Sequence, residues 1–143
     1  LLAALAAFAP PGHAGLRMIA RSERLLPILR FVHEHWSQPI GRDELARRAA
    51  LSPSRFHALF LETMGVPPLT YLRRLRMQQA QRLLVTTEEP VSRVGEQVGY
   101  PDAFQFSRQF RRVCGLSPSA YRERMRLPAM RPRESAAASG EPL

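Results

Sequence analysis

Apolar residues in this chain recur at intervals of three and four, in stretches bounded by proline and glycine, and no stretch alternates at the period of a strand. Leu25, Ile28, Leu29, Val32 and Trp36 share one face of a predicted helix from Leu25 to Trp36, with Pro27 in its first turn, where a missing N–H is tolerated. A helix over Gly41 to Ala50 follows, opened by a glycine, a weaker cap than Ser or Asp. Ser52-Pro53 pairs a side-chain cap with a proline at the first helical position and starts a helix that runs to about Met64, where Gly65 stops it. Pro68 opens a long helix, Leu69 to about Val85, with Leu69, Leu72, Leu75, Ala80, Leu83 and Leu84 inward. At ~1.5 Å per residue it is roughly 25 Å long, which suits a rigid spacer. Beyond a break at Thr86 to Pro90 come a short helix from Ser92 to Val98, a turn at Gly99-Tyr100-Pro101 and a helix from Asp102 to Cys114. Gly115 stops that helix, and Ser117-Pro118 caps a last one ending near Arg126. The predicted class is all-α, with about seven helices.

Two parts of this pattern are copies. Phe56, Phe60, Gly65, Pro68 and Tyr71 reappear as Phe106, Phe110, Gly115, Pro118 and Tyr121 at a constant offset of 50 residues. Upstream, Leu45-Ala46, Ala49-Ala50-Leu51 matches Val94-Gly95, Val98-Gly99-Tyr100 at an offset of 49, so one copy carries a single-residue insertion at its turn. A short helix, a tight turn and a second helix, present twice, predict two helix-turn-helix subdomains joined by the long helix.

Charge gives this architecture a partner. The chain of 143 residues carries a formal net charge of +9, and all 21 of its basic residues are arginine. Between Glu62 and Glu88 there is no carboxylate, while Arg73, Arg74, Arg76 and Arg82 all fall there. Such an excess calls for an anionic partner, and the duplicated unit makes that partner double-stranded DNA rather than an acidic protein or a lipid surface. Cys114 is the single cysteine, which excludes an internal disulfide and suits a cytoplasmic setting; beside Val113 it reads as a small buried hydrophobe. His33 and His35 lack the i, i+4 spacing of a helical metal pair, so neither metal nor cofactor is expected. The apolar run Leu1 to Ala9 is too short to span a bilayer, has no basic lead, and reads as the end of an upstream helix. Pro10 to Gly15 is then the first linker, and the Pro-, Ser- and Ala-rich residues after Leu127 are expected to be disordered.

The second helix of each unit must bury one face and show the other. Phe56, Leu59, Phe60 and Thr63 take the inner side in the first copy, and Phe106, Gln109, Phe110 and Val113 in the second. The outward stripes are then Ser54, His57, Ala58 and Leu61, and Phe104, Ser107, Arg108 and Arg111, flanked by Arg55 and Gln105 near the helix starts. Phe104 is the awkward member, and tucking under the turn is its alternative place. Arg108 can pair with guanine O6 and N7, a contact worth ~1–3 kcal/mol of discrimination. Gln105 and Ser107 suit adenine or phosphate, Arg55 and His57 can hydrogen-bond, Ala58 and Leu61 offer only apolar contact, and Arg111 reaches at least phosphate. Two such helices would enter successive major-groove segments ~34 Å apart, and the shorter spacer implies DNA bent toward the protein at a cost of ~1–6 kcal/mol.

The residues that carry this pattern resemble the DNA-binding domain of the AraC/XylS family of bacterial transcription regulators. Val91 to Tyr100, Phe106-Ser107-Arg108-Gln109-Phe110-Arg111-Arg112 and Gly115 to Arg122 are the closest part. Asp43-Glu44-Leu45-Ala46, Ser52 to Phe56 and Arg76-Met77 with Ala80, Leu83 and Leu84 add to it, so the likeness runs from about Leu26 to Arg126. The resemblance implies base contacts at Ser54, His57, Ala58, Gln105, Ser107 and Arg108; Arg55, Arg111 and Arg112, on the same helices, complete the candidate DNA-binding set. It also implies promoter binding next to RNA polymerase, usually to activate, and a small-molecule effector or dimerisation only through an upstream domain. Three positions depart from the pattern: Ala58 stands where arginine is common, and Gly41 and Pro67 stand where Ser or Thr caps are common. The chain then divides into an upstream remnant or linker (1–21), the DNA-binding domain (22–126) and a tail (127–143). Within the domain, 22–68 and 87–126 are the two helix-turn-helix subdomains and 69–86 the linker helix. The other readings are a nucleoid-type binder with little sequence choice, a repair enzyme using Cys114, and a protein-interaction module that binds polymerase without DNA.

Overall fold

The computed structural model describes residues 13–126, with side chains from 19 onward. Seven α-helices, and no strand, make up the described residues: α1 His13–His35, α2 Arg42–Arg48, α3 Pro53–Met64, α4 Pro68–Thr86, α5 Val91–Gln97, α6 Ala103–Cys114 and α7 Pro118–Arg126. The expected class and helix order are therefore present. The ends obey local chemistry. Ser52 Oγ accepts from the Arg55 N–H at the start of α3, Asp102 accepts from the N–H groups of Phe104 and Gln105 at the start of α6, and Ser117 Oγ accepts from the Ala120 N–H in α7. Gly41 and Pro67 precede α2 and α4 with no side-chain cap, as the sequence suggests.

The first helix departs from expectation. It begins at His13, so His13, Ala14 and Gly15 of the expected linker are helical, and Pro27 lies in the helix interior rather than its first turn. A proline there removes one i→i−4 hydrogen bond; the buried ladder Leu25, Ile28 and Val32 on either side of it holds the helix against α2 and α3. Residues 1–12 and 127–143, with the expectations placed on them, lie outside the described residues.

Two apolar clusters form, one per repeat. The first joins Leu25, Ile28 and Val32 of α1 to Leu45, Ala46, Phe56, Phe60, Leu72 and Leu75. The second joins Met77, Ala80 and Leu84 to Val94, Val98, Phe106 and Phe110. Each fully buried phenylalanine among them contributes about 1.5–3 kcal/mol. Helix α4 thus supplies a wall to both cores, its first half to one and its second half to the other, and at 19 residues it is about 28 Å long. It is more than a spacer. Leu69, expected inward, is 42% exposed, and Met77, two residues past the last α4 member of the first core, is buried in the second.

The turns repeat as well. Leu51 N–H donates to Ala46 O (3.0 Å) and Tyr100 N–H to Gly95 O (2.8 Å), closing the same α2–α3 and α5–α6 corner. Pro101, exposed between Tyr100 and the cap Asp102, is the inserted residue. At the corner the first copy holds Ala50 at φ 54° and the second Gly99 at φ 89°, a conformation that strains a residue with a Cβ.

Candidate nucleic-acid interface

In each copy the second helix is pinned by two phenylalanines four residues apart. Phe56 and Phe60, and Phe106 and Phe110, are all at most 1% exposed; within each pair the rings meet at a tilt, and Phe60 and Phe110 meet Tyr71 and Tyr121 edge-on at the start of the following helix. That anchors one face of α3 and α6 in the core and sets the rotation of the other. The open face carries Ser54, Arg55, Ala58, Leu61 and Glu62 on α3, and Phe104, Gln105, Arg108, Arg111 and Arg112 on α6. His57 and Ser107 sit at its edge, half-buried. The nine residues singled out from sequence thus gather on two helix faces, with Arg112 joining the open side of α6.

The inner side holds with one exception. Leu59, Thr63 and Gln109 are half-buried, and Gln109 Oε1 is enclosed with no hydrogen-bond partner among the described residues. Val113, expected inward, is 41% exposed and lies at the margin of the buried face, while Cys114 beside it packs against the core. Phe104 does not tuck under the turn; its ring is 83% exposed.

Electrostatically the two faces are unlike. On α6 the side chains of Arg108, Arg111 and Arg112 have no ion pair or hydrogen bond among the described residues, so three guanidinium groups face outward uncompensated. On α3 Arg55 is likewise unpaired, and Glu62 is tied to Arg21 of α1. Anions are therefore favoured at α6 far more than at α3.

One side chain, read from sequence only as part of a charge run and of the resemblance, bridges the two units. Arg76 of α4 donates from Nε to Trp36 O (2.7 Å) and from Nη2 to Gln38 O (2.6 Å), and its guanidinium lies 5.6 Å from the Tyr100 ring. One side chain so joins the end of α1, the linker helix and the α5–α6 corner. Its counterpart 50 residues on, Arg126, donates to Leu84 O (3.4 Å), to Thr87 O and to Glu88 (2.6 Å), and Arg122 donates to Leu84 O and Glu89 O. Both arginines satisfy carbonyls left open where a long helix ends. The signal was present: carrying the repeat five residues past Tyr71 and Tyr121 pairs Arg76 with Arg126.

The titratable groups support structure rather than chemistry. The Arg126 hydrogen bond and charge hold the Glu88 carboxyl below its usual range. Burial pushes the Tyr71 hydroxyl up, and it is hydrogen-bonded to His33 Nε2 at 2.7 Å. His35 Nδ1 bonds to Phe31 O within α1. Burial also raises the Cys114 thiol, opposed in part by the Gln81 amide that donates to its sulfur (3.1 Å), the reverse of an activated nucleophile. Among the described residues no three His, Cys, Asp or Glu side chains cluster as metal ligands, and no helix is long and apolar enough to cross a membrane.

Known proteins share this arrangement. The family described as a helix-turn-helix domain matches residues 45–124, more than half of the chain. The MmsAB operon regulatory protein of Pseudomonas aeruginosa is 38% identical over 96 residues, covering 67% of this chain and 31% of that protein. The arabinose operon regulatory protein of Escherichia coli is 41% identical over 78 residues, covering 54% of this chain and 27% of that protein. Among solved structures, the DNA-binding domain of the global transcriptional factor AdpA, in complex with a target DNA, superposes with a TM-score of 0.70 at 33% identity, covering 73% of this chain and 95% of that one. The chain spans about a third of the length of the curated relatives it matches.

Proposed function

The chain belongs to the AraC-type helix-turn-helix family of DNA-binding transcription regulators, which are not enzymes, and on that premise we propose that it recognises a specific double-stranded DNA site with α3 and α6 in successive major-groove segments. The observation that carries this reading is the doubled open face: two helices rotated alike by a pair of buried phenylalanines, in a chain of net charge +9. In this assignment Arg108 reads guanine, Gln105 and Ser107 read adenine or reach phosphate, and Ser54, Arg55, His57 and Ala58 make the fewer contacts of α3. Arg111 and Arg112 neutralise phosphate. The DNA-binding unit is 22–126, with subdomains 22–68 and 87–126 about the helix 69–86. Bound at a promoter in the cytoplasm, the protein contacts RNA polymerase and activates, while effector binding and dimerisation belong to an upstream domain.

Selection of bound sites from random duplex DNA, followed by footprinting, tests the proposal. The expected result is an enriched motif protected in two windows about one helical turn apart, bound ~10³-fold or more tighter than random DNA. Equal affinity for selected and random DNA would instead make this a binder without sequence choice.

A further inference from the structure

Seven large apolar side chains are exposed among the described residues, and six of them lie between 39% and 45%. Phe104 stands apart at 83%. Single apolar residues at a surface are ordinary when a flank still rests on the protein; this ring rests on almost nothing. No aromatic partner lies beside it, although Tyr100, Phe106, Phe110 and Tyr121 form a continuous chain of ring contacts just beneath. Its backbone, by contrast, is fixed: the Phe104 N–H donates to Asp102 Oδ1 at 2.8 Å in the cap of α6. The ring is therefore held out from the first turn of the helix, one residue before Gln105 and one turn before Arg108 on the same open face. The equivalent position of α3 is Ser54, so nothing in the shared architecture requires an aromatic there.

We propose that Phe104 is a base-reading residue that packs against the C5-methyl of a thymine in the major-groove segment entered by α6. The proposal rests on the DNA-binding reading above. The thymine C5-methyl is the one methyl group on the major-groove base edges, and phenylalanine, having no donor or acceptor, can contribute only apolar contact there. An aromatic so exposed beside three unpaired arginines is poorly placed for an apolar protein surface, whereas those arginines carry it to a phosphate-lined groove.

The test compares thymine with deoxyuridine, which differs only by that methyl. A duplex selected by the intact chain is re-synthesised with each thymine of the α6 half-site replaced singly. Loss of one methyl contact is expected to weaken binding of the native chain about fourfold at one position. Phe104→Ser, carrying the residue of the α3 counterpart, should bind both duplexes alike, and Phe104→Leu should keep part of the difference. Because position 104 is exposed, both variants should melt with the native chain; a Phe104→Ser protein that melts normally yet keeps the full deoxyuridine penalty overturns the proposal. So does a native chain indifferent to every replacement, which leaves Phe104 to a protein partner. Failure to enrich any site sinks the site-specific reading of the chain instead, and the two failures are distinct.

Discussion

Inside, the two helix-turn-helix units are nearly the same object; outside, they are two different ones. From residue 54 to 71 and from 104 to 121 the order of buried, half-buried and exposed positions agrees everywhere except at Thr63 and Val113. Yet along the open faces Ser54, Arg55, Ala58, Leu61 and Glu62 stand opposite Phe104, Gln105, Arg108, Arg111 and Arg112. A core tolerates few changes because neighbours on every side constrain its volume, whereas an exposed position answers only to what it meets. The difference teaches that the shared interior sets the rotation of both helices, while the open face of α6 carries the more unpaired charge and, in the proposed role, the stronger grip.

The strongest way to break the comparison is at the joint between the units. Arg76→Met removes two charge-assisted bonds and leaves Trp36 O and Gln38 O without them, an expected loss of about 2–3 kcal/mol in denaturant unfolding. Should stability hold, some other contact sets the mutual orientation of the faces. Next come the two corners, where mirrored substitutions should act with opposite signs. Gly99→Ala places a Cβ 3.0 Å from Ser37 O and 3.1 Å from the Arg76 guanidinium at positive φ, and should cost ~1–3 kcal/mol. Ala50→Gly, at an exposed position with φ 54°, should gain ~0.5–1 kcal/mol. Crowding is therefore a matter for Gly99 alone, since a larger side chain at 50 would point to solvent. A loss at both corners would mean that the turns are not equivalent.

On the DNA side, Arg108→Ala should weaken specific binding by ~1–3 kcal/mol and relax choice at one base pair, while Ala58→Arg gives α3 the side chain of its counterpart and should tighten it. Equal losses on selected and random duplexes would reduce Arg108 to a phosphate contact. The smallest effect is expected at Arg112: Arg112→Ala should weaken all duplexes alike and lower the slope of log affinity against log salt by about 1. A sequence-dependent change would move Arg112 among the base readers.

Much of this molecule was legible from pattern alone, and the misreadings have specific causes. The phenylalanine pairs, the glycines that end α3 and α6 and the Ser52 and Ser117 caps act within one turn of chain, so spacing reveals them. The start of α1 was misplaced because proline and glycine are weak stops when later residues can bury one side of the helix. Val113 differs from expectation because helical spacing does not say how wide the buried face is.

Pattern along the chain was enough to establish the seven helices, their duplication and most of the buried side of each: helix and burial are decided by residues three or four positions apart, and the duplication shows as one spacing held at an offset of 50. Folding in three dimensions decided the rest: that α4 is shared between two cores, that Arg76 bolts the end of α1 to the corner of the second unit, and that Phe104 stands in the open. The first two depend on partners far apart in sequence, with Arg76 and Trp36 separated by 40 positions, and the third on the absence of any neighbouring surface. A local period places Phe104 on the outward stripe without saying whether the turn covers it, and encodes neither of the first two.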